Sequence, residues 1–123
     1  MTSLTDNLKH REFARAWTQH FGETVSIVHC QASEWLKSDS KPIDVLYLGN
    51  GEASGSAVGM QALDEVTAAQ PRLHAESLVV FDDAPFAKGV FLNRGELAIP
   101  WLIDQGWSVL HSGHQTILSQ VPV

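Results

Sequence analysis

Two near-continuous apolar runs, each passing into polar punctuation, dominate the pattern of this chain. Ile43-Asp44-Val45-Leu46-Tyr47-Leu48 gives way to Gly49-Asn50-Gly51-Glu52-Ala53-Ser54-Gly55, and Ser77-Leu78-Val79-Val80-Phe81 gives way to Asp82-Asp83-Ala84-Pro85. Apolar runs of this length predict strands covered on both faces, as in a parallel sheet with helices on each side. In such sheets ligands bind outside the carboxyl ends of the strands. That is where Gly49, Asn50, Gly51, Glu52, Asp82 and Asp83 fall.

Around these runs the periodicity alternates between helix and strand. Leu8, Phe13, Trp17 and Phe21 recur every four or five residues behind Asp6, a candidate cap, and Gly22 ends this helical face. Residues 25–29 predict a short strand, and residues 33–37 a helical turn carrying Trp35 and Leu36. Residues 57–70 predict a helix with Val58, Ala62, Leu63 and Val66 at apolar positions and Pro71 at its end. A loop with Pro85, Gly89 and Gly95 follows the second run, and residues 96–105 predict a helix with Pro100 near its first turn and Gly106 just past its end. Residues 107–110 and 115–118 flank His111-Ser112-Gly113-His114 as an antiparallel hairpin. The order α-β-α-β-α-β-α-β-β predicts an α/β fold, a three-layer sheet with helices on both faces that closes in a hairpin.

Composition narrows the class. A chain of 123 residues is expected to form a single domain with its own core. Hydrophobic content of 44% and charged content of 18% fit a soluble globular protein. A net charge of −6 without a basic run argues against nucleic acid or an anionic membrane as partner. A single cysteine, Cys30, excludes an internal disulfide and suits a reducing cytosol. The first residues are polar, and no segment approaches the ~20 apolar residues that span a bilayer. A cytoplasmic protein is expected.

The residues that could carry chemistry each have a structural alternative. The Gly49–Gly55 segment follows a strand and precedes a helix, the context of a nucleotide-type cofactor loop. Its spacing, G-x-G-x-x-x-G, is one residue longer than the common fingerprint, and no acidic residue closes a second strand about 20 residues on. A plain strand-to-helix turn is the simpler reading. Asp82 and Asp83 could supply a general base or oxygen ligands to a cation, but neighbouring strand residues point to opposite faces. One of them is then a turn cap beside Pro85. Asn50 and Glu52 either complete the same cleft or serve the turn. Cys30 reads as a small buried filler rather than a nucleophile. His111 and His114 lack a local third ligand, so no metal site is expected. Trp17, Trp35, Trp101 and Trp107 read as core or interface anchors.

Three segments carry a family resemblance: the strand Ile43–Leu48, the strand with its acidic end at 78–83, and Ala98-Ile99-Pro100-Trp101-Leu102-Ile103-Asp104-Gln105-Gly106-Trp107 running into the hairpin. Residues 43–120 resemble the C-terminal half of a class I S-adenosylmethionine-dependent methyltransferase. Residues 25–36 resemble the preceding strand with its adenine-facing loop. The resemblance implies a partial Rossmann-like fold and S-adenosylmethionine chemistry. It implies cofactor contacts at Cys30, Gln31, Ala32, Gly49 and Gly51, and a reacting end lined by Asn50, Glu52, Asp82 and Asp83. The family's glycine-rich loop and ribose-binding acid lie upstream of the matched segments, and Gly49 stands where related sequences often carry an acid. A truncated methyltransferase-like domain is therefore expected, either an enzyme or a non-catalytic module that binds a small ligand or assembles through its surface. An apolar strand 43–48 at a sheet edge would be an aggregation hazard, so either the strand at 25–29 moves in beside it or a second copy pairs there, and a homodimer covering that edge or an adjoining helix face is expected.

Overall fold

The computed structural model describes residues 2–5, 8–19, 26–29, 32–38, 41–49 and 56–120. The chain divides into two compact units, Met1–Asp39 and Ser40–Val123. In the first, β1 (Thr2–Thr5) runs parallel to β2 (Ser26–His29), pairing Thr2 with Ser26 through Thr5 with His29. The helices α1 (Leu8–Thr18) and α2 (Ala32–Ser38) complete this unit. The sequence pattern contained no strand before α1; Thr2–Thr5 is polar and short, and its pairing with β2 is what makes it a strand. On α1, Leu8 and Phe13 are exposed. Asp6, Phe21 and Gly22 lie outside the described residues.

The second unit is built on a four-stranded sheet of β3 (Ile43–Leu48), β4 (Leu73–Phe81), β7 (Ser108–Ser112) and β8 (Thr116–Ser119), in the spatial order β3-β4-β8-β7. β3 and β4 are parallel, whereas β8 is antiparallel to both of its neighbours. Helix α3 (Ser56–Ala69) connects β3 to β4. Between β4 and β7 come a two-stranded hairpin, β5 (Phe86–Ala87) and β6 (Val90–Phe91), a tight turn at Asn93–Gly95, and α4 (Ala98–Asp104).

Alternation along the strands puts one set of side chains in the core. Leu46 pairs with Val79, Leu48 with Phe81, and Val79 with Leu118. All of these are buried, together with Ala62, Val66 and Ala69 of α3 and Ile99 and Leu102 of α4. The opposite face is more open, with Val45 58% and Tyr47 53% exposed. The expectation that β3 is covered along its whole apolar run thus holds for alternate residues only.

β4 starts four residues before the run that announced it, because side chains hold an irregular register there. Two steps along β3, from Ile43 to Val45, face five along β4, from Leu73 to Leu78. The Ser77 hydroxyl donates to the Ile43 carbonyl and accepts from the His74 N–H at 2.9 Å. Glu76 N–H donates to His74 Nδ1 at 3.2 Å, which leaves Nε2 to meet Asp44 at 2.7 Å. Buried Arg72 donates from Nε to the Lys41 carbonyl at 2.8 Å. These bonds pin the amino ends of the strands, opposite the candidate site.

Local signals set the remaining ends. Pro71 stands in a short 3-10 turn after α3. Gly106, at φ +97°, closes α4, with its N–H bonded to the Ile103 carbonyl and Trp107 N–H to the Leu102 carbonyl. That is a glycine-dependent helix stop. The expected β-hairpin forms as β7 and β8, with a register shift between Val109 and His111. The β5–β6 hairpin stands where the sequence predicts loop, because its two-residue turn is Lys88-Gly89 rather than the Asn-Gly that marks such turns. Both turn residues have positive φ, 53° and 82°.

Candidate functional site

The carboxyl ends of β3 and β4 lie side by side, and hydrogen bonds fix the chain just beyond β4. Asp82 N–H donates to the Leu48 carbonyl at 2.9 Å, extending the parallel ladder by one step. Ala84 N–H then donates to the His114 carbonyl at 3.0 Å, and the buried Thr116 hydroxyl donates to the Ala84 carbonyl at 2.8 Å. The loop after β4 is thereby clamped to the β7–β8 turn. This clamp carries Gln115 and His114 to Asp82.

The resulting cluster centres on the Asp82 carboxylate. Gln115 Nε2 stands 3.4 Å from Asp82 Oδ1 and 3.4 Å from the Tyr47 hydroxyl, and the Tyr47 hydroxyl itself bonds Asp82. His114 Nε2 approaches Oδ1 at 3.6 Å. Partial burial opposes the charged form of Asp82, but bonds from Tyr47, Gln115 and the Asp83 backbone, with the nearby His114, outweigh it and hold the carboxyl below its ordinary range. Tyr47 moves the other way: partial burial, then the bond to Asp82 and its negative charge, push the phenol above 10.0. Asp82 is thus an ionised hydrogen-bond acceptor and Tyr47 a protonated donor.

Gly49 belongs to the same structure. A Cβ built on it would overlap the Tyr47 ring at Cε1. The space that glycine leaves open is occupied here by the Tyr47 ring.

Asp83 has a different role from its neighbour. It adopts φ +52° and accepts from Asn93 Nδ2, itself at φ +53°, at 3.1 Å. Its side chain fastens the Asn93–Gly95 turn to the loop after β4, where the left-handed backbone at Asp83 has already left the strand. Ala32 opens α2 in the other unit. Cys30, Gln31, Asn50, Gly51 and Glu52 lie outside the described residues.

Sequence reading missed Tyr47, Gln115 and Arg94 as site residues. Tyr47 carried a signal, as the one side chain in its strand besides Asp44 with a polar atom, and it is the chain's single tyrosine. Gln115 carried none. Arg94 is 7% exposed and its Nε has no hydrogen-bond partner among the described residues. Among the described residues no group of three His, Cys, Asp or Glu side chains is arranged to hold a metal ion. Likewise, no described helix is long and apolar enough to cross a membrane. A separate open groove of about 400 Å³ lies between the β5–β6 hairpin and α4, lined by Phe86, Val90, Phe91, Leu92, Pro100 and Ile103 among others.

The fold has counterparts in solved structures. A protein from Corynebacterium glutamicum with a methyltransferase-like fold superimposes with a TM-score of 0.71 at 15% identity, over 99% of this chain and 61% of that one. An rRNA methylase from Streptococcus thermophilus superimposes with a TM-score of 0.66 at 9% identity, over 98% of this chain and 73% of that one. This chain has a class I methyltransferase-like fold. It spans less than two thirds of the Corynebacterium protein's length. No protein-family model and no curated protein matches the sequence. The methyltransferase-like α/β architecture expected from residues 43–120 is therefore the architecture present, with its sheet ending in the antiparallel hairpin.

Proposed function

We propose that this methyltransferase-like chain derives from an S-adenosylmethionine-dependent enzyme and retains its acceptor-binding end. Tyr47, Asp82 and Gln115 orient a small polar methyl acceptor. The observation that supports this reading most is the ionised Asp82, held by convergent donors at the carboxyl end of a parallel strand, where open α/β sheets bind ligands. Held below its ordinary pKa, Asp82 is a weak base. Its part is to accept a hydrogen bond from an acceptor hydroxyl or amine and fix its direction, since methyl transfer depends on alignment. Bound S-adenosylmethionine would supply the methyl group.

Calorimetric titration with S-adenosylhomocysteine tests the reading. A dissociation constant below ~100 µM, about −5.5 kcal/mol, supports a surviving cofactor site. No heat at millimolar ligand removes the enzymatic reading.

A second reading rests on β3, the end strand of its sheet, where Val45 and Tyr47 are more than half exposed. Such an edge invites pairing with another strand. In this reading the chain is a cytoplasmic homodimeric module without catalysis. Sedimentation at micromolar concentration decides it, and a clean monomer counts against it.

A further inference from the structure

Arg94 is held in the Asn93–Gly95 turn, with contacts to the loop after β4 on either side of it. On one side Asn93 Nδ2 bonds Asp83 Oδ1 at 3.1 Å; on the other, a Cβ at Gly95 would come within 3.0 Å of Ala84 Cβ. Behind the turn, a Cβ at Gly59 of α3 would lie 3.3 Å from the Asn93 carbonyl, so the turn is backed by helix. Between these contacts the Arg94 side chain is buried, with Nε unpartnered among the described residues. The two acids at the end of β4 are engaged elsewhere, Asp82 with Tyr47 and Gln115, and Asp83 with Asn93. The positive charge is felt at the Tyr47 hydroxyl, where it acts to lower the phenol's pKa against the stronger opposing influences. The guanidinium therefore serves the same end of the sheet as the Tyr47–Asp82 pair.

A guanidinium is permanently charged, and its planar fork of N–H donors matches carboxylate and phosphate oxygens. Burying its Nε without a matching acceptor is unfavourable. We propose that Arg94 is the anion-recognising residue of this site, and that the molecule it takes carries a carboxylate or phosphate to pair with the guanidinium while a hydroxyl or amine reaches Asp82. This names the substrate class of the acceptor site and rests on the methyltransferase reading.

The test uses the whole chain, labelled with nitrogen-15, and three probes: benzoate, phenyl phosphate and the neutral benzamide. The expected result is saturable shifts of the Asp83, Arg94 and Gly95 amides with an anionic probe, at least about tenfold tighter than with benzamide. Preference for benzoate assigns a carboxylate, and preference for phenyl phosphate assigns a phosphate. Arg94→Gln is expected to abolish the discrimination, and Arg94→Lys to keep part of it through charge alone. Equal response to benzamide and benzoate, or no saturable shift at these amides, overturns the proposal. That comparison needs only the wild-type chain, so a variant that fails to fold does not weaken it. S-adenosylhomocysteine titrated into the same sample separates the two ideas. Cofactor binding without anion discrimination removes Arg94's role alone, whereas anion discrimination without cofactor binding leaves an anion site and removes methyl transfer.

Discussion

Gly49 lies so close under the ring of Tyr47 that a single added methyl group would occupy the ring's own space. The pair ties the carboxyl end of β3 to the site, because the same ring carries the hydroxyl that bonds Asp82.

Gly49→Ala should displace that ring. Tyr47 is 53% exposed, so the ring can swing outward instead of straining the core. The stability loss should therefore stay near the low end of overpacking costs, about 1 kcal/mol. The larger consequence is electrostatic: without the Tyr47 bond, the Asp82 carboxyl should titrate at higher pH than in the wild type. Urea unfolding and a carbon-detected NMR titration of Asp82 measure the two effects. An unchanged Asp82 titration would remove the proposed coupling.

The cluster also predicts how stability varies with pH. Asp82 is more acidic folded than unfolded, so its contribution is present above its ordinary value of 3.8 and is lost as pH falls through the lower folded value. Tyr47 is less acidic folded than unfolded. Its contribution is complete below 10.0 and is lost as pH rises through the higher folded value. Asp82→Asn should flatten the acid limb of the stability curve, and Tyr47→Phe the alkaline limb. As the chain's single tyrosine, Tyr47 gives phenolate absorbance that reports its own midpoint. A midpoint below 10.0 in the folded chain would contradict the cluster geometry.

A stabilising change is expected in the β5–β6 hairpin. Lys88 occupies the left-handed region at φ 53°, ahead of Gly89 at φ 82°. A left-handed residue other than glycine costs roughly 1–2 kcal/mol, and asparagine relieves part of this. Lys88→Asn should raise the unfolding free energy by about 0.5–1 kcal/mol, read from the urea midpoint at constant slope. A lower midpoint would mean that Lys88 makes a contact that outweighs the backbone gain.

Much of the fold was legible in short windows of sequence. Residues 43–48 and 77–81 announced β3 and the core of β4 through near-continuous apolar side chains. Pro71 and Gly106 marked helix ends, and the polar turn at 111–114 marked the β7–β8 hairpin. Each of these signals acts within a few residues, through backbone geometry or side-chain period, so local reading suffices. Where side chains distant in sequence decide the conformation, it fails. The early start of β4 depends on Ser77 and His74 reaching Ile43 and Asp44, 34 and 30 residues away. β1 exists because β2 lies beside it.

The site divides in the same way. By itself the sequence determined that Asp82 and Asp83 follow directly on an apolar strand, at its carboxyl end. Only the tertiary structure decided which of them sits in the cluster. Asp82's partners come from β3 and from the β7–β8 turn, Gln115 lying 33 residues from Asp82 and 68 from Tyr47 along the chain. No spacing rule connects such positions. They meet because β8 inserts between β4 and β7, and because Ala84 and Thr116 clamp the loop after β4 to the hairpin turn. Pairing between distant strands, rather than local preference, assembles this cluster of charge.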